Sequence, residues 1–343
     1  MSVVDFNSKH AENLYFTYQI DDAVKEFEKL RSEGNARANY FLAQIYSRKL
    51  GKYNKTKEEV EDMILQGTED GDILCGACSR YMYTKDSQER KNKLEQYIPL
   101  LIRAANHKDT YAQNELARIY LYELTPYANA SEGIKWLTKS AQAGYWDSLT
   151  ELGKLYSNGR FVAKNEELGF KYKLKAAAIG CMVAQYYVSA CYITGSGVEP
   201  DMGRAFEWNK KAADQGLLEA AYNMSNFYMK GLGTEKNAKE AFKWTKVSAE
   251  AGDVNAQFNL GEMYFKGEGT EKNVDAAIKN TLIAANRGHM KAMISMAGYY
   301  FFGEGAPKDY NIAKTWAQKA ADHGSAEGRR FVKIIECEAK KHL

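Results

Sequence analysis

Ala256-Gln-Phe-Asn-Leu-Gly-Glu-Met-Tyr-Phe-Lys-Gly-Glu-Gly-Thr-Glu-Lys-Asn273, running on to Ala277, Ala284-Ala285 and Gly288, is the stretch whose reading decides the fold. Ala256, Leu260, Gly261 and Tyr264 recur at the spacing of one helical face, which predicts a first helix with a single buried stripe. Lys266 to Lys272 is a turn: Gly267 stands where a left-handed residue ends a helix, and Gly269 lets the chain reverse. Asn273 can accept hydrogen bonds from the free amides of a second helix, which runs to about Asn286. Ala276, Ala277, Ala284 and Ala285 allow that helix a close approach to its neighbours. Helices this short are marginal in water, because nucleation orders several residues for one hydrogen bond. Stacking on neighbouring pairs has to supply the stability.

The same unit is written again at a step of 36 residues, beginning at Ala184, Ala220, Ala256 and Ala292. Tyr192, Tyr228, Tyr264 and Tyr300 follow in register, then the glycine pairs Gly195/Gly197, Gly231/Gly233, Gly267/Gly269 and Gly303/Gly305. Ala205, Ala241, Ala277 and Ala313 hold one offset in the second helix, and Gly216, Gly252, Gly288 and Gly324 close the units. Two earlier units keep the phase, through Leu116, Ala117, Tyr120 and Gly144, and through Leu152, Gly153, Tyr156 and Gly180; in the first of these Thr125-Pro126 stands where the glycines would be. The helix-capping series is therefore Asn129, Asn165, Asp201, Asn237, Asn273 and Asp309, with full capping boxes available at Asn129/Glu132 and Asn237/Glu240. A period of this size is the mark of a solenoid. The repeated tyrosines, and Trp136, Trp208, Trp244 and Trp316 at one offset of the second helix, read as packing residues rather than as reactive groups.

Outward from the repeats, residues 112–324 form six regular units, 35–111 two divergent ones, 1–34 an N-terminal helical cap or half unit, and 325–343 a capping helix. The first predicted helix is Asp21 to Ser32; helices near Ala36–Arg48 and Lys57–Thr68 make the first divergent unit. The second, 72–107, is the least regular, with a charged segment from Lys85 to Asn92, and its irregularity points to a local binding feature. Glu12 to Tyr18 resembles a protease tag site without its terminal Gln and is read as native sequence. In the last helix Phe331, Ile334, Ile335 and Ala339 form the apolar face that would shield the final unit.

At 343 residues the chain exceeds what one closed core usually supports, a limit that a solenoid escapes by growing lengthwise. Only 4 prolines agree with an almost wholly helical chain. A net charge of +3, from 47 basic and 44 acidic residues, gives no basic stripe of the kind nucleic acid requires. No stretch approaches the roughly 20 apolar residues of a membrane span. Met1 to His10 lacks the features of a secretory signal, so a cytoplasmic chain is the expectation, with non-classical secretion left open. Cys75 and Cys78 form a Cys-x-x-Cys inside an apolar helix start, which favours buried structural thiols over redox chemistry. His10, His107, His289, His323 and His342 are scattered, with no metal-ligand spacing, and no phosphate loop or nucleophile elbow occurs. No catalytic residue, cofactor or metal site is expected.

The unit resembles the Sel1-like repeat, a relative of the tetratricopeptide repeat with a longer turn, over about eight units and essentially the whole chain. That resemblance implies an all-α, right-handed α/α superhelical solenoid, and a bacterial adaptor or scaffold that binds proteins. Some secreted members pair cysteines within every repeat, a series this sequence lacks. By analogy with the tetratricopeptide arrangement, the third, seventh and tenth residues of each first helix should line a concave groove. The partner-binding candidates are then Tyr186, Ile193, Tyr222, Asn226, Met229, Phe258, Glu262, Phe265 and Phe301. Exposed, such aromatics make a protein-binding surface; the alternative is that they pack between units. Arg118, Lys154, Lys230 and Lys266 could favour an acidic peptide or simply solvate the strip. The expected function is a non-catalytic scaffold holding a peptide or protein. A glycan- or nucleic-acid-binding module is the first alternative, and a hydrolase acting on envelope material the second.

Overall fold

A computed structural model describes residues 3–83, 87–123 and 126–340, and among them every regular element is helical. The segment around Lys85 and the residue Thr125, both singled out above, lie outside the described residues. The chain divides into two units, 1–201 and 202–343. The first holds α1 (Val3–Phe16), α2 (Ile20–Ser32), α3 (Ala36–Ser47), α4 (Lys57–Glu69), α5 (Ile73–Cys78), α6 (Gln88–Asn106), α7 (Thr110–Tyr122), α8 (Ala130–Gln142), α9 (Trp146–Asn158), α10 (Glu166–Ile179) and α11 (Met182–Thr194). The second holds α12 (Met202–Asp214), α13 (Leu218–Lys230), α14 (Ala238–Glu250), α15 (Val254–Lys266), α16 (Val274–Asn286), α17 (Met290–Phe302), α18 (Tyr310–Asp322) and α19 (Ala326–Lys340). Within each unit consecutive helices pack as pairs, and each pair packs on the next. This is the all-helical solenoid expected from the period.

The turn inside each pair is built by backbone chemistry. The carbonyl of the repeated tyrosine accepts the amide of the capping residue nine positions on, at 2.8–3.0 Å from Tyr120/Asn129 through Tyr300/Asp309. The same capping residue then turns its side chain to the next helix. Asn165 accepts from the Leu168 amide, Asn237 from Glu240, Asn273 from Ala276, and Asp309 from Asn311 and Ile312. One Asn or Asp thus closes the loop and satisfies an orphan helix amide. The full capping boxes expected at Asn129 and Asn237 are not formed: Glu132 and Glu240 turn outward to Lys135 and Lys243. The reciprocal box occurs instead at Thr56/Glu59.

The two glycines of the turn do different work. Gly267 adopts φ +71°, the left-handed helix end expected of it. Gly269, at φ +73°, does more than reverse the chain: a Cβ there would stand 2.0 Å from the Ala238 carbonyl oxygen, inside the helix of the preceding repeat. Gly197 and Gly233 make the same approach to Glu166 and Met202. The second glycine is therefore a contact point between repeats. Further out, rings stack the pairs edge to face: Phe170 on Tyr192, Phe206 on Tyr228 and Phe242 on Tyr264, at 5.5, 5.4 and 5.2 Å. These phenylalanines also recur every 36 residues. The tryptophans support packing as expected, Trp136, Trp208 and Trp316 each lying under a lysine one turn on, at 4.1, 4.1 and 4.2 Å.

The ends depart from the sequence expectation in two places. The first helix is Val3–Phe16, not the one beginning near Asp21, and it pairs with α2. Tyr15 on α1 is wholly buried among Phe27, Phe41, Tyr111, Tyr145 and Trp146, and its carbonyl accepts the Trp146 indole N–H at 3.1 Å. The tag-like segment is thus a core element. At the other end α19 buries Ile335 beside half-buried Phe331 and Val332, while Ile334, expected on that face, is exposed. Gly328 sets the approach, since a Cβ there would meet the Ala321 amide nitrogen at 2.8 Å.

Candidate functional site

In the second unit the third, seventh and tenth positions of the first helices stay only half-buried, whereas the first and fifth are sealed in the same helices. Ala220, Met224, Ala256 and Leu260 are buried; Tyr222, Asn226, Met229, Phe258, Glu262 and Phe265 are not. Some of these side chains also bind the repeats together. Phe258 stacks on His289 at 4.6 Å, Phe265 leans on Tyr299 at 5.4 Å, and Tyr222 packs against Ala249, Ala256 and Leu260. Glu262 is held by Lys266 at 3.1 Å. Phe301 is taken up by the end of the unit, touching Phe331 and Tyr310, and its neighbour Phe302 is the ring left 65 % exposed. In the first unit Tyr186 is half-buried beside Tyr187, and Ile193 is exposed. The side chains of the strip thus pack between repeats while stopping short of full burial.

A second site, which the repeat pattern did not reveal, lies in the first unit. There α5 ends after six residues and Ser79–Met82 continues as a 3-10 turn. The turn is fixed by a buried ionic cluster. Arg80, 1 % exposed, reaches Glu115 at 3.1 Å and Glu123 at 3.2 Å, and donates to the Ala77 carbonyl at 2.5 Å. Arg90 completes it, 2.6 Å from Glu123. Burial raises the Glu123 carboxyl, but hydrogen bonds and charge from Arg90 and Arg80 outweigh it and hold the group below its ordinary range. Across this short element, the end of α3 meets the start of α9: Arg48 pairs with Asp147 at 2.6 Å and lies over the Trp146 ring.

The result is a cavity of about 420 Å³ lined by Arg48, Tyr81, Asn114, Arg118, Tyr122, Asp147, Glu151 and Lys154. A second cavity of about 580 Å³ shares Arg48, Tyr81 and Arg118, and continues over Tyr46, Val60, Ile64 and Met82. Asp147 also accepts from Asn114 at 3.2 Å, and Glu151 accepts from Tyr122 and, at 2.6 Å, from Lys154. Burial pushes the Asp147 carboxyl up, but the Arg48 and Arg118 charges and its hydrogen bonds bring it below the usual range. Of the wall residues, Arg118 and Lys154 were named from the sequence and the rest were missed. A signal was present. The fourth and seventh residues of the first helices are Glu115/Arg118 and Glu151/Lys154 here, against Asn223/Asn226 and Ser295/Gly298 later in the chain.

Cys75, Cys78, Cys181 and Cys191 are buried and unpaired, and Cys337 is exposed. Burial raises the Cys181 thiol to about 11, and Cys75 and Cys78 further, which disfavours their thiolate forms. Among the described residues no group of three or more His, Cys, Asp or Glu is placed to hold a metal ion, and no helix is long and apolar enough to cross a membrane.

Stacked helix pairs with a paired-glycine turn and a tyrosine-to-cap backbone bond define an all-helical repeat solenoid. The Sel1 repeat model matches six times, at residues 110–145, 146–181, 183–217, 218–253, 254–289 and 291–325, and the chain belongs to the Sel1 repeat family. Proteins of this family are generally protein-interaction scaffolds. A Sel1 repeat protein from Oxalobacter formigenes is similar over 94 % of this chain and 93 % of its own, at 23 % identity and a TM-score of 0.61. A protective antigen of uropathogenic Escherichia coli with the same repeat fold is 20 % identical over 98 % of this chain and 91 % of its own, with a TM-score of 0.34. Helicobacter pylori cysteine rich protein B is 18 % identical over 40 % of this chain and 97 % of its own, at a TM-score of 0.32. No curated relative matches the sequence.

Proposed function

We propose that the chain is a non-catalytic scaffold that holds a peptide or protein segment against the first helices of its repeats. The observation that supports this is the division of labour within single helices. On α15, Ala256 and Leu260 disappear into the stack while Phe258, Glu262 and Phe265 keep an open side; α13 does the same with Tyr222, Asn226 and Met229. Half-anchored aromatic and methionine side chains suit a binding surface, because their neighbours already restrict them and little rotamer freedom is lost on contact. Repetition supports the absence of catalysis, since a reaction centre needs groups that occur once. The test is a photo-cross-linking residue placed at Met229, with Lys239 on the opposite helix of the repeat as control. Position 229 should yield a discrete cross-linked protein that position 239 does not. Equal yields from both positions would refute the assignment of this face.

A further inference from the structure

Arg118 is the one wall residue of the smaller cavity whose charge is left without a bond. Asp147 is occupied by Arg48 and Asn114, and Glu151 by Lys154 and Tyr122. Glu115, one turn before Arg118, gives one oxygen to Arg80 and leaves the other without a hydrogen bond, so it contributes a field but no contact. Arg118 itself has no ion pair or hydrogen bond among the described residues. It is half-buried, and its guanidinium lies 5.7 Å from the centre of the Tyr81 ring. Arg80 and Arg90 crowd the same ring at 4.2 and 5.3 Å, so Arg118 cannot spread its charge onto that face alone.

Burial disfavours the Arg118 cation, but the neighbouring Tyr81, Glu115 and Asp147 outweigh it; its planar fork of donors stays unmet and suits a carboxylate taken bidentately. The surroundings select the ligand's charge. Three cations and two carboxylates line the wall, leaving room for one negative charge; a dianion would face Asp147 and Glu151 with its second charge unmatched. They also select its neighbours. The adjoining cavity, which shares Arg48, Tyr81 and Arg118, has a mixed wall, with Tyr46, Val60, Ile64 and Met82 set beside Lys49, Lys55, Lys57 and Glu61.

We propose that this cavity is a receptor for one carboxylate of a partner peptide, seated on Arg118, with an aliphatic side chain of the same peptide against Val60, Ile64 and Met82 of the adjoining cavity. The proposal rests on the scaffold reading and specifies what part of a partner the first unit recognises. A free aliphatic acid offers the same chemistry, and the experiment separates the two sources.

The probes are a fluorescein-labelled pentapeptide amide, Ala-Leu-Asp-Leu-Ala, its Asn counterpart, sodium butyrate and inorganic phosphate. Polarisation measured on the full chain should show the Asp peptide binding roughly tenfold tighter than the Asn peptide, the scale of one charge-assisted bidentate contact. Arg118→Gln, with the helical circular dichroism of the wild type, should erase that difference, and Arg118→Lys should retain only part of it. Should Arg118→Gln not fold, wild-type competition decides: butyrate must displace the Asp peptide more effectively than equimolar phosphate. Equal binding of the two peptides to the wild type, unchanged discrimination in a folded Arg118→Gln, or phosphate outcompeting butyrate overturns the proposal. If butyrate raises the melting temperature of the wild type but not of Arg118→Gln while neither peptide binds, the cavity takes a free acid. The peptide-carboxylate assignment then fails, and the scaffold reading still stands or falls on cross-links from position 229.

Discussion

Replacing Gly269 by alanine should damage the stack far more than replacing Gly267, although both glycines lie in one turn at nearly the same φ. Each substitution forces an L-residue into left-handed backbone, at about 1–2 kcal/mol. At Gly267 little is added, because the new Cβ would meet Lys272 no closer than 3.2 Å. At Gly269 the Cβ would lie 2.0 Å from the Ala238 oxygen, 2.5 Å from the Ala238 carbonyl carbon and 3.0 Å from Phe242 Cβ. Two of these atoms are backbone within α14, so relief requires the repeats to part. Overpacking of this kind costs about 1–3 kcal/mol further, for a total of about 2–5 kcal/mol. Urea unfolding followed by helical circular dichroism reads both variants, and because coupling runs between neighbouring repeats the Gly269→Ala transition should also broaden. Equal losses for the two variants, or a larger loss for Gly267→Ala, would refute the claim that the second glycine is a contact point between repeats.

The remaining predictions concern caps, buried charge and acid. Asn273→Ala removes the side-chain cap of α16 but keeps the amide bond to the Tyr264 carbonyl, and should cost about 1 kcal/mol in thermal unfolding; no loss would mean that the cap is idle. Arg80→Met leaves Glu115 without an ion-pair partner and should cost about 3–5 kcal/mol. Lys243→Met, which breaks an exposed pair with Glu240, should cost no more than about 0.5 kcal/mol, and comparable losses would deny the burial argument. Asp147 and Glu123 have folded pKa values below their ordinary ones, so their ionised forms stabilise the fold above the ordinary carboxylate pKa of about 4, and that stability is lost as pH falls through the lower folded values. Melting temperature should therefore drop on the acid side of about pH 4; a drop confined to pH 6–8 would contradict the assignment.

The regular part of the fold was legible because its determinants are local. A glycine at a left-handed position, an asparagine before a helix and alanines at a helix crossing each act within a few residues, and repetition separates them from background. The second glycine was misjudged as a turn residue alone, since its contact is with Ala238, thirty-one positions earlier, in another helix. Burial of Tyr15 escaped for the same reason: its partners Phe41, Tyr111 and Trp146 come from three first helices or their approaches, α3, α7 and α9. The cavity of the first unit was the least legible feature. Its wall draws on the end of α3, the turn after α5, α7 and α9, elements far apart in the sequence. Of the wall residues only Tyr81 falls within the irregular stretch 72–107, and the charged fourth and seventh positions do not specify which charges neutralise one another.

The account's central claim, that the first helices of the repeats form the partner surface, is tested most directly by hydrogen–deuterium exchange of the full chain with and without the protein captured from position 229. Slowed exchange is predicted in α13 and α15, with α14 and α16 unchanged. Protection confined to α14 and α16, or to the capping helix α19, would contradict it.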